Sequence, residues 1–327
     1  MIYKRIESEA LKGVRSSLRR SDAFYATVLG ADGFLGSHMV RILRDRGAVV
    51  HAVGRDAGDF TDPDVVNRAL QGAPEADRIF HLVTRQRTGA VQYGIQGELL
   101  ATNARIHLNV LEAWRRFQPQ AKLVSTGSSC AFPERDEPIV EADFQAGPMH
   151  ESVRGYGLAK QLLAVGSETY GAQYGLKWLH LILATVYGPG DHHEPDRSHF
   201  MTGMIHRAIA EKRAGASEFT VWGQPDTTRD LLYVDDQIDA MLAADEVFEN
   251  TILNCSANAP VTIHECAEAI LQALEWQVPI IYPAGTFQGA SRKTIASARF
   301  LAGTGWRGKW VLQIGTQASV SAINDCR

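Results

Sequence analysis

Tyr156 and Lys160 stand four residues apart in Tyr156-Gly157-Leu158-Ala159-Lys160, a spacing that puts a phenol and an ammonium on one helix face. A phenol titrates near ~10 in water. A lysine cation beside it stabilises the phenolate and is expected to lower that value, so that proton exchange with a carbonyl or alcohol works near neutrality. Ser128 follows an apolar run, Lys122 to Thr126, where its hydroxyl can bond the same oxygen. Upstream, Gly30-Ala31-Asp32-Gly33-Phe34-Leu35-Gly36 is a GxxGxxG turn. Its first glycine permits a tight turn, the second lets the backbone approach a pyrophosphate, and the third allows close helix packing. A helix opening there favours the negative charge.

The elements that must position these groups alternate. Tyr25 to Leu29 reads as a strand, and Met39, Val40, Ile42 and Leu43 have helical spacing that ends at Gly47. Strands are expected at Ala48–Val53, Arg78–Val83, Lys122–Thr126 and Leu176–Thr185, with helices over Leu99–Phe117 and 157–174. Such alternation predicts an α/β fold, a doubly wound parallel sheet covered on both faces. The pattern changes after Tyr187-Gly188-Pro189-Gly190, where 190–200 reads as a long polar loop, and sheet-like material returns over 231–256. The expected organisation is an N-terminal arm (1–24), a dinucleotide-binding domain (25–189 with 231–256) and a smaller, discontinuous C-terminal domain for substrate (190–230 with 257–327).

The end of the second strand selects the cofactor. An acid there would bind a ribose hydroxyl, whereas an arginine suits a 2′-phosphate. Val53-Gly54-Arg55-Asp56 presents Arg55 first, which favours NADP over the alternative NAD. Asp59 and Phe60 follow where a short acid and an apolar residue are expected to flank adenine.

Across 327 residues, 45% are hydrophobic and the formal charge is −4. That excludes disorder and gives no overall basic field for nucleic acid. No apolar run reaches the ~18 residues of a membrane helix. Cys130, Cys255, Cys266 and Cys326 show no CxxC or metal spacing, which fits a reducing, cytoplasmic compartment. No metal is expected at His192, His193 and His199, and Cys255, Cys266 and Cys326 read as core or bystander residues.

In its glycine turn, in Gly127-Ser128-Ser129-Cys130-Ala131-Phe132-Pro133, Tyr156 to Lys160, Val186-Tyr187-Gly188-Pro189-Gly190-Asp191, Ser198-His199, Val221-Trp222-Gly223 with Arg229, and Ser291-Arg292-Lys293, the chain resembles the extended short-chain dehydrogenase/reductases. Within them it is most similar to the GDP-L-fucose synthases, from about Ala26 to Gly315. The resemblance implies a Rossmann-type sheet and NADPH-dependent epimerisation and 4-keto reduction of a nucleotide-activated deoxysugar, a GDP-sugar being favoured. A cofactor-retaining nucleotide-sugar 4-epimerase of the same family is the alternative. It further implies that Tyr156 is the proton donor, assisted by Ser128 and Lys160, and that Cys130 and His199 are the acid/base pair for epimerisation. Gly30, Gly33, Phe34, Leu35, Gly36, Arg55, Asp59, Phe60, Leu82, Lys160, Leu183 and Val186 would hold the cofactor. Thr185, Arg207, Trp222, Arg229, Gln288 and Lys293 would hold the nucleotide sugar. It also implies a homodimer through the helices around Leu99–Phe117 and Tyr156. Thr185 replaces the family's usual asparagine and Gln288 an aspartate, which bears on which sugar is bound.

Overall fold

A computed structural model describes residues 23–135, 137–284 and 294–325. Its main sheet has six parallel strands: β1 (Tyr25–Leu29), β2 (Val49–Val53), β3 (Arg78–His81), β4 (Lys122–Ser128), β5 (Trp178–Leu183) and, after the four short strands below, β10 (Thr251–Cys255). The order β10-β5-β4-β3-β1-β2 places a reversal of direction between β1 and β3, and the crevice at the carboxyl ends there is where such sheets bind ligands.

The helices are α1 (Phe34–Asp45), α2 (Pro63–Gln71), α3 (Gly89–Gly94), α4 (Gln96–Phe117), α5 (Arg154–Tyr174), α6 (Phe200–Arg213), α7 (Val234–Val247), α8 (Ile263–Ala273), α9 (Ala298–Thr304) and α10 (Leu312–Asp325). Strand alternation sorts the sheet's side chains into two layers. Val28, Phe80, Val124 and Leu181 face Met39 of α1, Met241 of α7 and Phe300 of α9. Leu29, Ile79, Leu123 and Trp178 face Val66 of α2, Leu111 and Trp114 of α4 and Leu163 of α5. At Gly36 a Cβ would lie 1.9 Å from the Gly30 carbonyl oxygen, so glycine is what lets α1 cross β1 this closely. Asp62 caps α2 by accepting the Asp64 N–H, with Pro63 at the first position.

The expected strand over Leu176–Thr185 divides. β5 ends at Leu183, and β6 (Thr185–Tyr187) leaves the sheet to pair in parallel with β9 (Leu231–Tyr233). The cause is a long-range contact: the Thr185 N–H donates to the Asp230 carbonyl at 2.8 Å, which turns the chain away. Two further pairs, β7 (Phe219–Thr220) with β12 (Ile280–Ile281) and β8 (Thr228–Arg229) with β11 (Val261–Thr262), surround a separate apolar cluster. It includes Met201, Ile205, Val221, Ile263, Ile270 and Val320. Residues 298–306, expected with that second unit, pack instead against the sheet through Phe300 and Trp306. The arm over 1–22 lies outside the described residues.

Candidate active site

A cavity of about 1290 Å³ opens at the carboxyl ends of β1, β3, β4 and β5 and is closed on its far side by α6 and the loops of the second cluster. It gathers most of the residues that the sequence picks out. Gly30, Gly33, Phe34, Leu35, Gly36, Arg55, Leu82, Leu183 and Val186 line it beside Ser128, Cys130, Tyr156, Lys160 and His199, and Thr185, Arg207, Trp222 and Arg229 complete it.

Asp59 and Phe60 do not line it. The Phe60 ring is buried in the core with Val65 and Ile106, and the Asp59 carboxylate accepts the Thr61 N–H. The Phe60 ring is therefore turned to the core and not to a bound adenine, since an aromatic in an amphipathic loop finds more apolar contact there, while the Asp59 carboxylate stays exposed. Gln288 and Lys293 fall outside the described residues.

The glycine turn suits a dinucleotide. α1 begins at the cavity, with Gly33 at its cap, no side chain capping it and no acid in its first turn, leaving its N–H groups for a diphosphate. Asp32 accepts the Arg55 N–H at 2.8 Å and so fixes the bend after β2. The exposed Arg55 guanidinium has no ion-pair partner among the described residues.

Ser128 ends β4, and its Oγ accepts the Cys130 N–H at 3.2 Å, capping the turn that carries the thiol. A Cβ at Gly157 would lie 2.4 Å from the Cys130 carbonyl oxygen. The glycine beside Tyr156 therefore allows α5 to touch that turn. Asn103 of α4, fully buried, accepts the Arg85 N–H at 2.7 Å and the Thr84 hydroxyl at 3.1 Å, and donates to the Arg85 carbonyl. This holds the segment after β3 over the site. Arg87 pairs with Asp196, and the Thr88 N–H donates to the Asp196 carbonyl, joining that segment to the 190–198 loop.

The phenol does not follow the direction that the Tyr156–Lys160 spacing predicts. Burial raises the Tyr156 phenol well above its ordinary value; the Cys130 sulfur adds to this and the Thr84 hydroxyl opposes it. The Lys160 Nζ donates to the Thr126 carbonyl at 2.9 Å and stands 5.7 Å from the tyrosine ring centre. Burial lowers its ammonium to about 8, against the Cys130 charge. Burial is thus the largest influence on the phenol and favours the protonated form, the one a donor needs.

His199 caps α6, and its Nδ1–H donates to the Asp191 carboxylate at 2.7 Å, with its backbone N–H at 3.2 Å from the same group. Asp191 has a fully buried side chain. Burial alone would raise its carboxyl, but the hydrogen bond and charge of His199, with the Thr202 hydroxyl and the His192 N–H, hold it below the ordinary range. This fixes the tautomer and leaves Nε2 as the working nitrogen. Asp191 is the functional residue that sequence reasoning passed over; the available signal was an acid eight residues before the histidine. Arg207 lies over the Trp222 ring at 4.2 Å and donates to the Thr220 carbonyl, and Trp222 is 58% exposed, which leaves an aromatic face for a base or sugar.

Sheet, glycine turn and Tyr–Lys pair together define a dinucleotide-dependent enzyme that acts at a carbonyl or alcohol. The chain belongs to the NAD dependent epimerase/dehydratase family, whose model matches residues 26–255. It is 29% identical over 320 residues to a putative GDP-L-fucose synthase 2 of Oryza sativa subsp. japonica, covering 92% of each chain. To the GDP-L-fucose synthase of Escherichia coli (strain K12) it is 26% identical over 300 residues, 88% of this chain and 92% of that one. Among solved structures, a GDP-L-fucose synthetase from Naegleria fowleri bound to NADP superposes with a TM-score of 0.83 at 21% identity, covering 95% of this chain and 98% of that one. A GDP-6-OMe-4-keto-L-xylo-heptose reductase from C. jejuni gives 0.83 at 17%, covering 93% and 99%.

Proposed function

We propose that the chain is an NADP-dependent epimerase/reductase that acts on a GDP-linked 4-keto deoxysugar in the manner of the GDP-L-fucose synthases. The observation that carries this reading is that Cys130 and the Asp191-backed His199 line the same cavity as Ser128, Tyr156 and Lys160. A plain reductase has no use for a second acid/base pair.

A ketone at C4 acidifies the protons on C3 and C5. Inverting either carbon needs one group to remove a proton and another to deliver one to the opposite face. Cys130 and His199 come from different elements, the turn after β4 and the start of α6, as delivery from two directions requires. The α1 N-terminus and Arg55 would hold NADPH, which would supply a hydride for C4. Tyr156 gives its proton to the C4 oxygen, which Ser128 steadies by a hydrogen bond. Arg207 and Arg229 suit the diphosphate, and Trp222 the guanine. In this reading the sheet unit serves the cofactor and the second cluster the sugar nucleotide. The chain forms a homodimer, with Leu108 of α4 and Leu158 and Tyr174 of α5, all exposed, facing a second copy. A reducing cytoplasm keeps Cys130 a thiol.

The test is NADPH oxidation with GDP-4-keto-6-deoxy-mannose, the product being identified by NMR. Stoichiometric oxidation with GDP-L-fucose formed is the expected result. Tightly held nicotinamide with no net oxidation would instead establish a cofactor-recycling epimerase.

A further inference from the structure

His38 lies one turn into α1 and does not line the cavity. Its ring joins two parts of the chain that are distant in sequence. Nδ1 is 2.7 Å from the Asp235 carboxylate at the start of α7, and Nε2 is 2.9 Å from the Pro189 carbonyl just after β6. A carboxylate and a carbonyl only accept, so each contact needs a proton on the ring. As placed, His38 donates from both nitrogens. The Arg41 guanidinium donates to the same Asp235 oxygen and lies 3.3 Å from Nδ1, so the carboxylate at 2.7 Å is the nearer partner of that nitrogen. With its side chain 15% exposed and both nitrogens engaged, the imidazole is locked in one orientation.

What it holds leads to His199. The Pro189 carbonyl is two residues from Asp191, whose buried carboxylate accepts the His199 Nδ1–H. Gly190 between them has a φ of 84°, a left-handed turn that a side chain would strain. A Cβ there would lie 3.9 Å from His38 Nε2, so the imidazole packs against the turn as well as bonding it. A second link runs through Phe34, buried at the start of α1. Its ring meets His38 edge-on at 5.9 Å and His199 at 5.9 Å with a tilt of 42°. His199 is thus reached from His38 by two routes, along the Pro189–Asp191 turn and across one shared ring.

We propose that His38 is a positioning residue for His199. Its double donation clamps the Pro189–Asp191 turn to α1 and α7, and so holds the Asp191 carboxylate where it fixes the proton on His199 Nδ1. The clamp fastens the loop that orients this histidine to the helix that opens at the glycine turn. A histidine that served stability alone would leave the state of His199 indifferent to its replacement. The role in turnover rests on the proposed function of His199 in epimerisation.

The test reads both histidines in the substrate-free protein. Protein with 15N-labelled histidine is examined by NMR at neutral pH, the signals being assigned by their loss in His38→Phe and His199→Gln. The parent is expected to show His38 with a proton on each nitrogen and His199 as a single tautomer with the proton on Nδ1. His38→Phe removes both donors, keeps a ring against Phe34 and leaves Asp235 paired with Arg41. It is expected to give His199 in both tautomers. His38→Gln, which keeps a donor for the Pro189 carbonyl, is expected to restore most of the parent signature. In turnover His38→Phe should lower solvent deuterium uptake at C3 and C5 ~10-fold, with reduction of the already epimerised ketone changed less than ~3-fold. His38→Gln should recover most of that loss. A neutral His38 in the parent, folded His38→Phe with the His199 signals of the parent, or equal loss in both half-reactions would each overturn the proposal. The NMR comparison uses no sugar, so its outcome is separate from whether the proposed substrate is the right one.

Discussion

Asp191→Asn should separate the two halves of the proposed reaction. The Asp191 carboxylate accepts three N–H groups: His199 Nδ1–H at 2.7 Å, the His199 backbone at 3.2 Å and the His192 backbone at 2.8 Å. An amide offers one acceptor oxygen and turns two of its own N–H groups into this ring of donors. At least one charge-assisted bond is lost, worth ~1.5–3 kcal/mol, which is a factor of roughly 10–150 in the population of His199 with Nε2 unprotonated. Epimerisation, followed as solvent deuterium entering C3 and C5 in D2O, should fall by that factor. Reduction of the already epimerised ketone, followed by NADPH absorbance, should change less than ~3-fold, because Tyr156, Ser128 and Lys160 are untouched. The folded pKa of Asp191 is depressed. Its contribution is therefore whole above the ordinary carboxylate value of ~3.9 and is lost only as pH falls through the lowered one, so neutral-pH assays compare one ionic form. Equal loss of both half-reactions, or undiminished deuterium uptake, would refute the reasoning.

Tyr156→Phe should cost the reduction ~10²–10⁴-fold with NADPH affinity retained by fluorescence titration; substantial remaining reduction would remove the phenol from the proton-donor role. Arg55→Ala should weaken NADPH ~10–150-fold, the worth of one charged hydrogen bond, and leave NADH unchanged in the same titration. Asp230 is a buried carboxyl raised to about 6, by burial first, against hydrogen bonds from Ser256 and the Ile295 N–H. Its folded value lies above the unfolded one, so stability is whole below pH ~4 and falls as pH rises through 6. Asp230→Asn should accordingly gain ~2–3 kcal/mol in urea denaturation at pH 7 and nothing near pH 4, and an equal change at both would rule out that cause.

What the sequence made legible is what local pattern decides. β1 is found at the residues expected, and the glycine turn, Arg55, Ser128, Cys130, Tyr156, Lys160 and His199 meet in one cavity. Each belongs to a motif whose spacing carries its geometry. What escaped depends on partners distant in the chain. The break between Leu183 and Thr185 is set by Asp230, 45 residues away, so no window around the strand contains it. Phe60 looked available for adenine because a loop aromatic gives no sign of the core waiting beneath it. The Tyr156–Lys160 spacing predicts a lowered phenol, whereas burial, which no spacing reveals, raises it. A row of histidines is the extreme case. His81, His107 and His180 come from two strands and a helix, and each alone reads as a polar residue out of place. Only the register that sets His81 opposite Ser125, and Ser125 opposite His180, makes them neighbours in one buried row.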